Sequence, residues 1–411
     1  LSIQENKLKE IADAIREKDG TTEAITANDF PTRIRAIKTE IESLPENVRT
    51  ITLTAEPLDG GIVSGGGIAT DLMTVTVVAE AHEEQNFIFD GWKENGFVVS
   101  TTPLYTFLVN ADHKLTAIFS EKQYIPGVDW FTTTLPVSGN WLSITYGNGK
   151  FVAVPNNHSK AIYSDDGITW NETTLPVSGS WYSVTYGNGK FVAILNNRSI
   201  AAYSDDGIFW HQTSLPISAY WTSITYGNGK FVAIANNNHY IAAYSDDGIS
   251  WHQTSLPATA YWASVTYGNG KFVATPTGSR TGAYSDDGIT WKATTLPVSG
   301  YWYSVTYGNG KFVAIKNDNS SNQTGAYSED GIIWKQMKLP STYYWASVTY
   351  GNDKFVALTT NNNNKVAYSD DGITWNETTL PVSGNWYSVT YGNGKFVAID
   401  SGKIVYSSNG K

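Results

Sequence analysis

The chain has 411 residues, 41% of them hydrophobic, which is enough for two or three domains with packed cores and unlike a disordered or fibrous chain. It has no cysteine, which excludes disulfides and thiolate metal sites and leaves no bridge from which to read a redox compartment. The net charge of -10 is uneven: residues 1–46 carry -3, residues 47–121 carry -7, and residues 122–411 hold 18 charges of each sign, so the concentrated basic surface that nucleic acid requires is missing.

Residues 1–46 are expected to be helical. Ile3, Leu8, Ile11, Ala12 and Ile15 recur at helical spacing up to the stop at Asp19-Gly20, and a second helix is expected around residues 31–41. So short a segment builds little core alone, and two readings stay open: a helical hairpin packed on its neighbour, or an attachment and self-assembly module. The start, Leu1-Ser2-Ile3-Gln4-Glu5-Asn6-Lys7, lacks the basic-then-apolar order of a signal peptide. No apolar run approaches the ~20 residues of a membrane span, so no membrane insertion is expected.

Residues 47–121 switch to period two. Thr50-Ile51-Thr52-Leu53-Thr54, Thr74-Val75-Thr76-Val77-Val78 and Leu115-Thr116-Ala117-Ile118-Phe119 alternate as half-buried strands, with turns at Gly60-Gly61 and Gly65-Gly66-Gly67. The early Leu-Thr-Ala, Phe89-Asp90-Gly91-Trp92-Lys93-Glu94-Asn95-Gly96, Tyr105-Thr106-Phe107 and the closing Leu-Thr-Ala-Ile-Phe together resemble the internalin-type bacterial β-repeat. That resemblance implies a small β-rich spacer, as in surface and phage-like proteins, with no catalytic residues.

Residues 122–127 read as a linker, and an internal repeat dominates the rest. Tryptophans stand at 130, 170, 210, 251, 291, 334 and 375, and again at 141, 181, 221, 262, 302, 345 and 386; both series step by 40, 40, 41, 40, 43 and 41. One period parses into four strands, for example residues 181–186, 190–194, 201–204 and 209–215. Asn188-Gly189 suits a tight hairpin, and Ser204-Asp205-Asp206-Gly207 suits an aspartate turn. A four-stranded period near 40 predicts a mainly β fold, a seven-bladed β-propeller over residues 128–411. The strand at 128–136 opens the array alone while the chain stops just before a fourth strand is due, so the two are expected to complete one blade and close the ring.

The turn Tyr163-Ser164-Asp165-Asp166-Gly167-Ile168-Thr169-Trp170 and its counterparts resemble the Asp-box of sialidase-type propellers, although Ser-x-Asp-Gly-x-Thr-Trp is one residue shorter than the usual pattern. A sialidase would need an arginine cluster, and this region holds only Arg198 and Arg280. Glu172, Glu329 and Glu377 offer carboxylates for glycosidase chemistry, but nothing singles out a pair. The repeated Asp pairs read as local turn formers more simply than as calcium ligands, which must converge in sixes to eights. The six histidines lack metal spacing. No catalytic residue, metal or cofactor is therefore expected.

In a four-stranded blade, the loop between strands two and three shares a face with the connection to the next blade. The repeats differ most on that face. The candidate binding residues are Asn156, Asn157 and His158; Asn196, Asn197 and Arg198; Asn237, His239 and Tyr240; Arg280; and, just before the inner tryptophans, Tyr220, Tyr261, Tyr301 and Tyr344. Amides, hydroxyls and aromatic faces in this mixture suit carbohydrate, whereas plain drift of tolerant loops would give the same variation. The whole resembles phage-tail, tailocin or bacterial surface receptor-binding proteins. That implies an extracellular or particle-surface adhesin for a cell-surface glycan or polymer, joined as a trimer or to a larger particle through residues 1–46. A polysaccharide-degrading enzyme and a protein-binding scaffold are the alternatives.

Overall fold

A computed structural model of the chain describes residues 48–236, 239–317 and 324–408, with only the backbone of His239. The helices expected within residues 1–46 lie outside the described residues. Two compact units divide the chain, Leu1–Lys122 and Gln123–Lys411.

The described part of the first unit holds eight strands in two sheets. Val48–Glu56 pairs in parallel with His113–Glu121 at the centre of a five-stranded sheet, and Thr74–Ala81 is the middle of a three-stranded one. The period-two pattern is explained by one shared core, in which Ile51, Val77, Leu115, Ala117 and Phe119 point inward around Trp92. The Trp92 indole is fully buried and donates to the Pro103 carbonyl at 3.1 Å, satisfying its one polar atom.

The second unit is a seven-bladed β-propeller. Blade 1, counted from Trp141, runs Trp141–Gly147, Lys150–Pro155, His158–Ser164, Asn171–Gly179, each strand antiparallel to the last. The fourth strand of blade 3 continues unbroken into the first strand of blade 4 as His252–Gly268, so those two blades share one seven-stranded sheet. Second strands are buried on both faces, which is why they read as apolar runs. Val192 and Ile194 pack towards Trp221 in blade 3, while Ala193 and Leu195 pack with Trp181 and Val154. Each fully buried tryptophan contributes about 4–6 kcal/mol of transfer free energy, offset by ordering.

Two strand boundaries differ from the sequence expectation. In blade 2 the third strand begins at Arg198 and the fourth spans His211–Ala219. The aspartate turn holds Phe209 out in solvent, 72% exposed, and delays the fourth strand past Trp210.

Ring closure follows the expected strand exchange. Phe131–Thr133 pairs antiparallel with Ile404–Ser407 and completes blade 7. Three further interlocks pass between neighbouring blades, two of them at every junction and the third at six of the seven, and all recur across the seam between blades 7 and 1. Each first-strand serine accepts from a backbone N–H of a neighbouring first strand, as from Val184 to Ser143 at 3.1 Å and, at the seam, from Ile144 to Ser388 at 3.2 Å. Each first-strand glycine lies flat against the next blade's tyrosine: a Cβ on Gly147 would meet the Tyr186 ring at 2.0 Å, and one on Gly392 the Tyr146 ring at the same distance. That contact fixes the Tyr-Gly pair ending every first strand and makes the Tyr146 series part of the interblade packing. Hairpin asparagines also reach the neighbouring turn, Asn188 to the Asp246 carbonyl at 3.3 Å and, at the seam, Asn393 to Asp165 at 3.4 Å.

The aspartate turns divide their labour. The second aspartate caps the turn: Asp166 accepts from the N–H groups of Ile168 and Thr169 at 2.8 and 2.7 Å and from the Ser164 hydroxyl at 2.9 Å. The first is exposed and pairs with a hairpin lysine, as Asp205 does with Lys190 at 2.9 Å. The seventh turn is split between the two ends of the propeller. Gly127, which reads as the end of a linker, supplies the glycine at φ +82°, and Ser407 supplies the serine.

Candidate functional site

The first strands are innermost, so the residues after each inner tryptophan alternate between the ring axis and the blades. Leu142, Tyr182, Thr222, Ala263, Tyr303, Ala346 and Tyr387, with the serines of the interlocking ring, line a central depression of about 180 Å³. Asn236, at the end of a second strand, also lines it and places it on the face of the strand 2 to 3 turns. A second depression of about 380 Å³ adjoins it over blades 5 to 7, lined by Tyr303, Asn317, Tyr344, Thr360, Asn361, Asn385 and Tyr387. Tyr303 and Tyr387 belong to both.

Among the described residues neither lining contains a carboxylate, a cation or a histidine. Burial pushes the Tyr303 phenol above the usual tyrosine range, and the neighbouring phenols of Tyr182 and Tyr387 add to the shift, so it stays a neutral hydrogen-bonding group. Tyr387 shifts the same way, through burial first and then the charge of Asp400. Asp400 and Lys316 are the two charged side chains that are buried among the described residues, and both occupy the position just after a second strand's apolar run. Asp400 accepts from the Ser401 hydroxyl at 2.9 Å, and Lys316 lies 5.9 Å from the centre of the Trp302 ring.

The residues singled out in the sequence are distributed over this face unevenly. Asn156 and Asn157 form a two-residue turn in which Asn157 takes φ +55° and accepts from the Ser180 hydroxyl at 2.8 Å. Asn197 takes φ +58° in the matching turn, and Asn196 donates to the Trp221 carbonyl at 3.1 Å. His158, Arg198, His239 and Arg280 were expected in loops; each stands instead at or near the start of its blade's third strand, and the turns before His158 and Arg198 are only two residues long. His158 accepts from the Lys160 N–H at 2.8 Å, and Arg280 donates to the Leu296 carbonyl at 3.2 Å. Asn237 lies outside the described residues. Tyr220, Tyr240, Tyr261 and Tyr301 are each about half exposed, and among the described candidates only Tyr344 lines either of these two depressions.

Tyr182, Tyr303 and Tyr387 were missed. Their signal was the position between the constant tryptophan and the constant serine, which varies from leucine to tyrosine to alanine while strand alternation aims it at the axis. The glutamates considered for glycosidase chemistry are each paired elsewhere: Glu172 with Lys160, Glu329 with Lys335 at 3.8 Å, and Glu377 with Lys365 at 2.6 Å and the Ser341 hydroxyl at 2.5 Å. Among the described residues no group of three or more histidine, aspartate or glutamate side chains is arranged to hold a metal.

No protein-family model matches the sequence, and no curated protein matches it. Solved structures do resemble it. A streptogramin B lyase superposes with a TM-score of 0.62 at 15% identity, over 68% of this chain and 96% of that one. Virginiamycin B lyase from Staphylococcus aureus gives 0.61 at 13% identity, over 68% and 99%. YCF48 bound to a D1 peptide gives 0.56 at 18% identity, over 69% and 97%. The shared feature is the β-propeller. At these identities the likeness is one of fold, and the chemistry must be argued from this chain's own residues.

Proposed function

We propose that the chain is a non-catalytic receptor-binding protein whose propeller recognises an uncharged, hydroxyl-rich ligand, a cell-surface carbohydrate, on the face of the strand 2 to 3 turns. One observation carries the reading: two adjoining depressions are walled by tyrosine, asparagine, threonine, serine and apolar residues, with no charged group in either among the described residues. Phenol and amide groups both donate and accept, which matches sugar hydroxyls, and phenol faces match the apolar C–H faces of a pyranose. A glycosidase or lyase would need an acid and a base within reach of the substrate, and the described residues of the lining supply neither near neutral pH. The Asp-box-like turns, the internalin-like β domain and a place on a cell or phage-tail surface, with residues 1–46 joining copies or a larger particle, belong to the same reading.

The test is to incubate the full chain with a panel of purified cell-surface polysaccharides, measuring binding and the release of new reducing ends or unsaturated sugars. Binding without chain cleavage is expected. Cleavage would make the protein an enzyme. Absence of sugar binding, with capture of a peptide, would replace the carbohydrate by a protein partner, in line with the D1 peptide bound to YCF48.

A further inference from the structure

We infer that the ligand is a linear, uncharged polysaccharide held along the interior of its chain, several sugars at a time, over an arc of four consecutive blades, rather than a single terminal sugar. This rests on the carbohydrate reading above and specifies how the sugar lies.

The residue before each inner tryptophan is tyrosine in blades 3, 4, 5 and 6: Tyr220, Tyr261, Tyr301 and Tyr344. In blades 1, 2 and 7 it is Asn140, Ser180 and Asn385. Two of those three polar residues secure their own turns: Ser180 donates to Asn157 at 2.8 Å, and Asn385 accepts from the Asn362 N–H at 2.9 Å. Among the described residues the four tyrosines are hydrogen-bonded only through their backbones. The carbonyls of Tyr220, Tyr301 and Tyr344 accept from the N–H groups of Asn236, Asn317 and Thr360 at 2.8, 2.9 and 2.8 Å, and the Tyr261 carbonyl accepts from the Thr277 hydroxyl at 3.2 Å. Their phenols make no hydrogen bond with the rest of the described chain, and Tyr220, Tyr261 and Tyr301 are 49%, 49% and 56% exposed. A large aromatic at a pinned backbone position, with its hydroxyl unused, is pre-organised for a ligand and contributes little to the fold.

Size limits how much of a ligand the depressions can enclose. Sites that engulf a drug-sized ligand enclose roughly 300–1,000 Å³. The central depression, at about 180 Å³, falls below that range and has room for little more than one sugar, and the larger one, at about 380 Å³, lies at the range's lower end as an open trough that includes the Tyr344 end of the arc. Only part of an oligosaccharide fits within, and the remainder must lie on the exposed rings. Along the same arc the channel wall is mostly low, with Thr222, Ala263 and Ala346 where blades 2 and 7 carry Tyr182 and Tyr387. A chain therefore has a path from the trough over blades 5 and 4 towards Tyr220 and Tyr240.

The experiment is solution calorimetry of the full chain with size-fractionated ladders, from one to about eight sugars, of uncharged linear glucans, mannans, galactans and poly-N-acetylglucosamine. For the family that binds, affinity should rise at least about tenfold between the disaccharide and the tetramer or pentamer and level off beyond, as successive anchors are filled. Tyr261→Ala with Tyr301→Ala should weaken the longest ligands about tenfold or more, leave short-chain binding within about twofold, and leave the melting temperature unchanged. If a monosaccharide binds as tightly as an octamer, or the double variant weakens all lengths equally, the arc is wrong while carbohydrate recognition stands. If no ladder binds at any length, the carbohydrate reading falls and the arc with it.

Discussion

The backbone N–H of Gly127 donates to the hydroxyl of Ser407 at 2.7 Å, so the last aspartate turn of the ring is assembled from residues 280 positions apart. In the other six turns the same bond is local, as from Gly207 to Ser204 at 2.9 Å. Ser407→Ala should therefore lower stability by about 1 kcal/mol, much as Ser204→Ala does. Gly127→Val should cost roughly 2 kcal/mol or more, because it combines a positive φ with a Cβ placed 2.8 Å from the Val356 side chain. Thermal melting of the three variants checks this; a neutral Ser407→Ala beside a costly Ser204→Ala would mean the split turn adds nothing.

Removing residues 1–136 takes away both the split turn and the strand Phe131–Thr133, leaving Ile404–Ser407 as an open edge. The truncated chain should melt several degrees lower and self-associate, as light scattering would show. Truncation that spares the closing strand, removing residues 1–122, should leave a ring whose blades are all four-stranded. Equal melting of the two truncations would contradict closure by strand exchange.

The inner seam makes a separate demand. The N–H of Ile224 is buried and bonded to the Ser183 hydroxyl at 3.2 Å, so Ser183→Ala strands a buried donor and should cost about 1–3 kcal/mol in a denaturant titration. Ser183→Thr, which keeps the acceptor, should recover part of that loss.

The blades were legible because the two tryptophan series repeat in step, and because Tyr-Gly in all seven blades and Asn-Gly and Ser-x-Asp-Gly in six each perform one job. The exchange of the outer strand was also legible, since the fragments at the two ends of the repeat complement each other. The split turn was harder to see, as Gly127-Val128-Asp129-Trp130 matches Gly167-Ile168-Thr169-Trp170 only at glycine and tryptophan. The site was legible as a face but not as a pocket. Tyr182, Tyr303 and Tyr387 look like ordinary strand residues in any single repeat, and their convergence depends on the ring bringing blades 2, 5 and 7 to one axis. Conversely, His158 and Arg198 drew attention by chemistry alone, and two-residue turns put them at strand starts.

Acid should unfold the ring in a narrow window. In the six unbroken turns the capping aspartates, Asp166 to Asp371, all lie below the usual carboxylate range, and Asp247 and Asp287 fall to about 2. Desolvation in the turn is the largest single influence and opposes this, but the backbone N–H and serine hydrogen bonds together outweigh it. With the folded value depressed below an unfolded value of about 3.9, the stabilisation is present above that value and is lost as pH falls towards about 2. Melting temperature should be flat from pH 7 to about 5 and drop steeply between about 4 and 2. Asp287→Asn, which keeps an acceptor without the charge, should lower it at pH 7 and by progressively less as pH falls towards about 2.

The most direct test of the account places charge on each face and measures polysaccharide binding by the full chain. Asn361→Asp and Asn385→Asp introduce carboxylates into the neutral trough while retaining the acceptor that holds the Asn362 N–H and a residue tolerant of the φ of +68° at position 361. Asn228→Asp alters the opposite hairpin, where the side chain reaches the Asp286 carbonyl at 3.3 Å. The account predicts binding at least about tenfold weaker for the trough variants and within about twofold for the hairpin variant, with all of them folded. Binding that survives both trough substitutions and is abolished by Asn228→Asp would contradict it.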